Sequence, residues 1–555
     1  MKKYKITAAL AVLLILGLVI SQKSKNTVTP EAASATESIS GQTLDASADR
    51  QSAPELTDEP STAESLPEDT PEDPIPALDV LRPLSLTLQT NYLDKWSEAS
   101  LLCYANFDII QLSHTESQRL PALSRALNEY RNTLSESAHQ AHAENVEMAE
   151  RNFAESPDNF WGPYTNIITL DIRRADSTVL SILGENKEYC GGIHPVSSHF
   201  ASTYDSSTGE KLSLDNVVTD ISALPELLEP LLREKYPNVS FFDLKGSLNS
   251  AAENNGEGFV WTLDSQGVTF YFGQYVLASY AEGLQTVTIP FASRPELFTE
   301  SYTQIPEAYT MFLSPWYPVS YDLDDDGDME EITVRAEQDE SDMYHTLRIT
   351  IDKKEFTDEF HAYTFTPYLV HTRNGADYLY IKSVAENDYQ RLSVYDLNGD
   401  TITLVGHLWG TGFGCSTGEN AGAAELPTNP EHFLLETRMD LLSTTSGCRS
   451  YHVGEDGMPA ADTPYYEVTT DIVLTARQEL TADLINPDTG NVLKEHISVP
   501  EGSQLKLFRT DNATYMDMLM EDGQICRFQV DSASYPQTVN GISSYDCFDG
   551  MIFAG

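Results

Sequence analysis

Basic residues are scarce in this sequence. Its 555 residues include 34 Lys and Arg against 85 Asp and Glu, which gives a formal net charge of −51 at pH 7. Nucleic-acid binding depends on clustered Lys and Arg that neutralise phosphates, so the composition excludes a nucleic-acid partner. A basic protein, a cation or a neutral glycan remains compatible with this charge.

The sequence also lacks the motifs of several enzyme classes. It contains no H-E-x-x-H zinc motif, no P-loop and no dinucleotide fingerprint. Residues 414–418 match the G-x-S-x-G pattern of hydrolases, but that elbow needs a strand before it and a helix after it. Here the pattern lies in a glycine-rich loop with no helical periodicity behind it. We therefore predict a protein without catalytic residues, with a cryptic cell-wall hydrolase as an alternative.

Cysteine is rare, and no C-x-x-C spacing indicates zinc. The six cysteines form an even set, which is typical of disulfides in an oxidising compartment. Sequence leaves their connectivity open, and reduced, buried cysteines are the alternative. The simplest pairing joins neighbours along the chain: Cys103 with Cys190, Cys415 with Cys448, and Cys526 with Cys547.

Only one long apolar run occurs, from residue 6 to residue 20, and it follows a basic start. This pattern indicates an export signal or a membrane anchor within residues 1–26. The run is shorter than the roughly 20 residues that span a bilayer comfortably. No small-x-small cleavage site follows it, so we favour a single uncleaved anchor over a secreted chain. In both cases, residues from about 21 onward lie outside the cytoplasm.

Residues 27–80 contain no aromatic residue and are rich in Asp, Glu, Ser, Thr, Pro and Ala. Such a segment cannot bury enough apolar surface to offset the entropy lost on ordering. We predict a disordered acidic linker that self-repulsion keeps extended, and that raises the folded part above the membrane.

Residues 81–300 predict an α+β domain. Apolar residues recur with helical spacing between about 120 and 153, and Pro121 suits a first helical turn. Residues 221–236 predict a second helix. Alternating or continuous apolar runs around these segments predict strands, without the regular alternation of a parallel α/β fold.

Several short motifs follow one another within this domain. Residues 190–195 read Cys-Gly-Gly-Ile-His-Pro, residues 270–275 read Phe-Tyr-Phe-Gly-Gln-Tyr, and residues 287–290 read Val-Thr-Ile-Pro. This order resembles the extracytoplasmic domain shared by RsiV-type lysozyme-sensing anti-sigma factors and PdaC-type peptidoglycan deacetylases, over about residues 85–297. The residues that carry the resemblance are Gly191, Gly192, His194, Tyr275, Gly283 and Pro290.

The resemblance implies an envelope-exposed binding domain, for which lysozyme is one known type of ligand. Only residues 1–5 precede the apolar run, so we do not expect a cytoplasmic anti-sigma domain. We also find no Asp with paired His arranged as in a deacetylase. By its residue type His194 could contact a ligand, but without a partner cluster a structural role is the simpler interpretation for it and for His199.

Residues 301–475 predict a β-rich domain, either propeller-like or a sandwich. Its acidic loop places carboxylates at alternate positions around Gly327, as expected for a hard divalent cation held by one tight turn. The loop lacks the distal Glu of an EF-hand, because Thr333 occupies that position. We predict a structural calcium ion, with a solvated acidic turn as the alternative. The predicted ligands are Asp322, Asp324, Asp326, Asp328 and Glu330.

Residues 476–555 contain short strand-like runs separated by tight turns, which predict a small SH3-like β-barrel. The sequence as a whole therefore predicts a multidomain, membrane-anchored envelope protein that binds or senses a ligand. The expected partner is an extracellular protein, and a lysozyme-like protein is one possibility. The alternative is an accessory binder of peptidoglycan or another wall glycan.

Overall fold

The computed structural model describes residues 81–339, 343–415 and 423–554. The predicted signal or anchor (1–26) and the whole predicted linker (27–80) lie outside these ranges. Within the ranges, no helix combines the length and apolar character needed to cross a membrane. Strands predominate over helices and form several sheets, none of which closes into a barrel.

A six-stranded sheet with a long helix on one face begins the described part of the chain. Its order along the sheet is β1-β2-β3-β4-β5, with only the β2–β3 pair parallel. The sixth strand is added to β1 from a distant part of the chain. The elements are β1 Leu86–Ser97, β2 Ser100–Leu112, α1 His114–Arg119, α2 Pro121–Glu155, β3 Tyr164–Ala175, β4 Val179–Tyr189 and β5 Val196–Asp205.

Helix α2 and the sheet divide the side chains of β3 between two faces. Leu123 and Leu127 on α2 pack in one core with Ile168 and Leu170 of β3. Successive side chains of a strand point to opposite faces, so the alternate residues, including Asp171, lie on the face away from α2. The helical periodicity thus predicted α2 correctly, with its first turn at Pro121.

A second core covers residues 206–302 and contains most of the short helices. Strands β6, β7 and β8 form an antiparallel sheet beside them. The predicted helix at 221–236 is confirmed as α4, whereas α5 was not predicted. The elements are α3 Leu214–Val217, α4 Leu224–Lys235, α5 Leu244–Gly256, β6 Val260–Leu263, β7 Gly267–Phe272 and β8 Gln285–Pro290.

Two antiparallel sheets follow, with orders β10-β11-β12-β13 and β17-β16-β15-β14-β9. The two sheets share one apolar core. Shared packing of this kind fits both predicted alternatives, a propeller-like fold and a sandwich. The strands are β9 Tyr309–Phe312, β10 Val319–Tyr321, β11 Glu330–Gln338, β12 Tyr344–Ile351, β13 Lys354–Ala362, β14 Thr364–His371, β15 Asp377–Val384, β16 Gln390–Asp396 and β17 Thr403–Trp409.

The remaining strands join one large sheet, apart from β19, which pairs with β1. They are β18 Thr411–Gly412, β19 Ala423–Glu425, β20 Phe433–Met439, β21 Thr445–Val453, β22 Pro459–Ala461, β23 Tyr466–Val468, β24 Val473–Ala476, β25 Leu480–Ile485, β26 Val492–Val499, β27 Gln504–Thr510, β28 Tyr515–Met520, β29 Ile525–Asp531, β30 Thr538–Val539, β31 Ile542–Ser543 and β32 Phe548–Asp549, with helix α6 Ser544–Cys547.

The SH3-like barrel predicted for residues 476–555 is wrong. Strand β27 pairs with β28 on one edge and gives its other edge to β23 and β24. Strand β26 pairs only with β25, so the sheet stays open instead of closing on itself. The sequence pattern gave the strands and turns, but it carried no information about which strands would occupy these edges.

Strand pairs also cross the predicted domain boundaries. Strand β1 pairs with β19, which links the predicted 81–300 and 301–475 units. Strand β23 pairs with β27 across the boundary at 475. One apolar core contains residues from the first sheet, from β14–β16 and from β20–β21. The units therefore share sheet edges and core in addition to the chain connections.

Candidate functional site

The acidic loop lies between β10 and β11 and brings together three of its five predicted ligands. Carboxylate oxygens of Asp322, Asp324 and Glu330 all lie within 4.8 Å of one another. Asp326 instead accepts a hydrogen bond from the backbone N–H of Asp328 at 2.8 Å, and neither residue belongs to this group. The loop therefore offers a three-carboxylate cluster rather than the five-residue set.

Hydrogen bonds fix the shape of this loop. The Gln266 amide and the backbone of Asp322 donate to each other, at 2.8 and 2.7 Å. Gly327 has φ of 94°, a left-handed conformation that glycine adopts without strain, and its N–H donates to Asp322 Oδ2 at 3.0 Å. The Leu323 N–H donates to Glu330 Oε2 at 2.8 Å. These contacts hold the carboxylates of Asp322 and Glu330, at the two ends of the loop, facing each other.

The electrostatics of the cluster fit a hard divalent cation. Burial raises the pKa of Asp322 and of Glu330, and neighbouring carboxylates add to the increase. Asp322 Oδ1 is buried and has no hydrogen-bond partner among the described residues. Convergent carboxylate oxygens with an unsatisfied buried atom are the donors that Ca²⁺ prefers. These three residues would hold the ion, and its charge would offset their mutual repulsion.

The cysteines form one of the three predicted disulfides. Cys415 and Cys448 are bonded, while Cys103, Cys190, Cys526 and Cys547 are free thiols in the structure. Cys103 on β2 lies opposite Tyr164 on β3, and β3 separates it from Cys190 at the end of β4. Two strand spacings place these Cα atoms ~10 Å apart, beyond the reach of a disulfide.

The other unformed pair lies in the last core of the chain. The Cys526 thiol contacts the Met518 carbonyl oxygen, and the Cys547 thiol contacts that of Ile542. Both cysteines pack among the same buried apolar side chains. Sequence proximity suggested a bond, whereas in the structure each thiol faces backbone.

The glycines of the 190–195 motif form the bend between β4 and β5. Gly191 and Gly192 have φ of 79° and 133°, conformations that residues other than glycine rarely adopt. A Cβ on Gly191 would meet the Tyr164 hydroxyl at 3.1 Å. The Tyr189 hydroxyl donates to the Gly192 carbonyl oxygen at 3.2 Å. The bend presents the next residues, Ile193 and His194, to solvent.

A cluster of three aromatic side chains forms beside this bend. The His194 imidazole lies on the Tyr280 ring with centroids 3.8 Å apart, and Tyr275 lies 5.8 Å from Tyr280. The Tyr280 hydroxyl donates to the Pro195 carbonyl oxygen at 2.9 Å, which ties the two loops together. We call His194, Tyr275 and Tyr280 the aromatic platform.

Apolar residues surround the platform at the surface. Ile193 is 94% exposed, and Tyr275 and Val276 are more than half exposed. Two predicted residues, His194 and Tyr275, therefore belong to one surface patch. Tyr280 was missed, because its partner loop lies far away in sequence. Its place three residues before Gly283, which carries part of the resemblance, was the only available signal.

The two remaining motif residues have backbone roles. Gly283 ends a short 3₁₀ turn with φ of 69°, and the Gln285 amide donates to its carbonyl oxygen at 2.7 Å. Pro290 ends β8 opposite Gly267. The first residue shapes the loop that carries Tyr280, while the second closes the small sheet.

One cleft among the described residues has a volume of about 640 Å³, and none of the predicted site residues lines it. Its lining mixes apolar, polar and charged side chains, namely Met343, His361, Ala385, Glu386, Asn387, Tyr389, Arg438 and Asp440. In the G-x-S-x-G stretch, Cys415 is bonded to Cys448, and residues 416–418 lie outside the described ranges.

Comparison with known proteins finds a DUF3298 domain, described as a protein of unknown function, at residues 221–292. A DUF3298 family structure from Bacteroides fragilis is 18% identical, covers 39% of this chain and 95% of its own, and has a TM-score of 0.30. One from Pseudomonas aeruginosa is 19% identical, covers 41% and 99%, and has a TM-score of 0.28. No curated protein has a significant match.

Proposed function

We propose that this chain is a non-catalytic binding or sensing protein of the bacterial envelope. Its ligand would be an extracellular protein, with a basic, lysozyme-like muramidase as the leading candidate. The observation that carries this proposal is the aromatic platform, where His194, Tyr275 and Tyr280 cluster at the surface.

The platform has the composition of a protein-binding centre. Tyrosine is enriched among the residues that dominate binding energy at interfaces, and apolar neighbours exclude water around them. Tyr275 and Ile193 supply both features at one exposed place. The hydrogen bond from Tyr280 to Pro195 holds two loops in one arrangement, so little ordering entropy would be lost on binding.

The remaining parts of the proposal place the platform in the envelope. Residues 1–26 would anchor the chain in the membrane, or direct its secretion if they are cleaved. Residues 27–80 would act as an acidic spacer. The α+β region, resembling the RsiV- and PdaC-type domain, would carry the ligand site, followed by an all-β region stabilised by a calcium ion at Asp322, Asp324 and Glu330.

The charge of the chain supports a basic protein partner. A net charge of −51 attracts cationic proteins and raises their encounter rate, an effect that salt screens. The platform itself consists of two tyrosines and one histidine, so short-range recognition would depend on apolar and aromatic contact. The two contributions can be separated by varying salt.

A wall glycan is the second candidate ligand. Aromatic faces stack on sugar rings, and the exposed Tyr275 beside the partly buried Tyr280 offers such a face. In that case the protein would be an accessory peptidoglycan binder for a wall enzyme. A cryptic wall hydrolase is the third candidate, and no arrangement of catalytic side chains among the described residues supports it.

Binding assays at ~0.15 M salt separate these candidates. The ligands are lysozyme, an equally basic protein of unrelated fold, and soluble muropeptides. Saturable binding to lysozyme alone supports the receptor proposal. Equal binding to both proteins would reduce the interaction to charge, and binding of muropeptides alone would favour the glycan. Release of new reducing ends from wall fragments would overturn the non-catalytic assignment.

A further inference from the structure

The face of the six-stranded sheet opposite α2 leads directly to the aromatic platform. Glu185 on β4 pairs across strands with Thr169 on β3 and with His199 on β5. The loop that carries the platform runs over β5, since the Ser197 N–H donates to the Gln274 side chain. This face, which we call the groove, and the platform form one continuous surface.

Two carboxylates lie in the groove without partners. Asp171 on β3 lies opposite Leu183 on β4, and Glu185 is the next residue of β4 on the same face of the sheet. The two carboxylates are therefore diagonal neighbours with Cβ atoms ~7 Å apart. Within the described part of the chain, neither side chain makes a hydrogen bond or an ion pair. Unpaired carboxylates in a recess are costly, so a cation placed between them would be stabilised.

The basic side chains nearby are engaged elsewhere. Arg173 pairs with Asp264 at 2.6 Å and donates to the Phe312 carbonyl oxygen. The Lys187 ammonium lies over the Trp316 ring, 5.6 Å from its centroid, and makes no ion pair with Glu185. Neither residue therefore neutralises the two carboxylates through direct contact.

Further unpartnered polar atoms and aromatic rings line the same recess. Tyr317 is only 7% exposed, and its hydroxyl has no hydrogen-bond partner among the described residues. Asp171 lies close enough to interact electrostatically with this hydroxyl. His199 Nδ1 is also buried without a partner. Trp316 is 65% exposed beside them. Buried polar atoms normally find partners, so several in one place indicate a ligand or ordered water.

We propose that the groove binds a basic side chain of the protein partner, with an arginine guanidinium as the best fit. A guanidinium carries several planar donors that can serve both Asp171 and Glu185, and its faces stack on aromatic rings such as Trp316 and Tyr317. An ammonium offers the same charge but a single centre. This inference rests on the proposed function, because it names the chemistry by which that partner is held beside the platform.

The test uses the purified chain and short fluorescent peptides of arginine, lysine or citrulline, the neutral analogue of arginine. Asp171→Asn/Glu185→Gln should weaken arginine-peptide binding by about tenfold or more, since two charge-assisted contacts are lost. The matched control is Glu136→Gln/Glu147→Gln, which makes the same charge change at exposed positions on α2. The control should alter affinity by less than about twofold.

A second variant keeps the test independent of folding defects. Thr169 is exposed and faces Glu185 across the strands, so Thr169→Lys places an ammonium in the groove. It should weaken arginine-peptide binding without lowering the melting temperature. Thr133→Lys, on an exposed position of α2, adds the same charge and should leave affinity nearly unchanged.

Three results would overturn the groove site. These are equal weakening by the groove and control variants, equal affinity for arginine and citrulline peptides, or unchanged binding in Thr169→Lys. Any of them would mean that the recess holds only water or that long-range charge accounts for the affinity. If lysozyme still binds the groove variants, the groove proposal is wrong but the proposed function stands. If arginine peptides bind but no protein partner does, the proposed function is wrong.

Discussion

Gly209 occupies a tight turn after β5 that packs against the start of helix α2. Its φ is 70°, and an added Cβ would lie 2.5 Å from the Ala122 carbonyl oxygen. Gly209→Ala should therefore lower the free energy of unfolding by about 2–4 kcal/mol, through strain and overlap with backbone that cannot move aside. Chemical denaturation of the purified variant measures this loss.

Gly502 provides the matched control for that substitution. Its φ is 85°, but no atom lies within 4 Å of an added Cβ. Gly502→Ala should cost only about 1 kcal/mol, the penalty for a left-handed alanine. Equal losses for the two variants would show that packing against α2 contributes nothing at Gly209.

Asp171 should make stability depend on pH. Burial raises its pKa to about 7; Glu185 on β4 and Asp108 on β2 add to this, whereas Arg173 opposes it. Tyr317 and Tyr368 also face the carboxyl and are neutral in this range. The folded state thus binds the proton more tightly than the unfolded state, so this group's contribution is favourable near pH 4 and is lost as pH rises through 7.

Asp171→Asn removes that loss because asparagine does not ionise. Relative to the parent, the variant should gain up to about 2 kcal/mol between pH 5 and pH 8, after allowance for solvent screening. Urea titrations at both pH values measure the change, with Glu136→Gln as a control that shows none. A pH-independent difference between Asp171→Asn and the parent would contradict the raised pKa.

At the scale of helices and strands, the sequence predicted local elements better than it predicted contacts between distant segments. Helix α2 and helix α4 follow from apolar spacing and from proline in the first turn. Asn398-Gly399, a typical turn dipeptide, lies between β16 and β17, which pair antiparallel with Asp396 opposite Thr403. Tyr280 could not be placed, because its stack on His194 joins loops that are remote in sequence. Long-range contacts of this kind leave no periodic signal along one strand or helix.

The acidic loop between β10 and β11 gives a prediction at the same scale. Calcium should raise the melting temperature and excess chelator should lower it, because an ion that binds only the folded state stabilises it. Asp324→Ala should abolish this response, since Asp324 belongs to the carboxylate cluster. Asp326→Ala should retain most of it, because Asp326 caps the Asp328 N–H instead.

Calorimetric melting with calcium or chelator tests this assignment. A parent chain that melts identically in both conditions would identify the loop as a solvated acidic turn. Equal loss of the response in the two variants would return Asp326 to the ligand set that the sequence predicted.

For the whole molecule, the strand-rich patterning predicted the predominance of sheets, which the structure confirms. The scarcity of Lys and Arg predicts that nucleic acid is not a partner. The barrel prediction failed because closure depends on which strand takes the free edge of β27, and β23 does so from outside the unit. The disulfide prediction failed at Cys103 for a related reason, since β3 lies between it and Cys190.

The central claim is that the aromatic platform forms the centre of a protein-binding surface. The most direct test is the dissociation constant for lysozyme at ~0.15 M salt, compared between the parent and Tyr280→Ala. Tyr535→Ala is the control, because Tyr535 is 87% exposed and lies between β29 and β30, outside the platform. We expect Tyr280→Ala to weaken binding by about tenfold or more, and Tyr535→Ala to have no effect. Identical dissociation constants for the parent and Tyr280→Ala would contradict the proposed site.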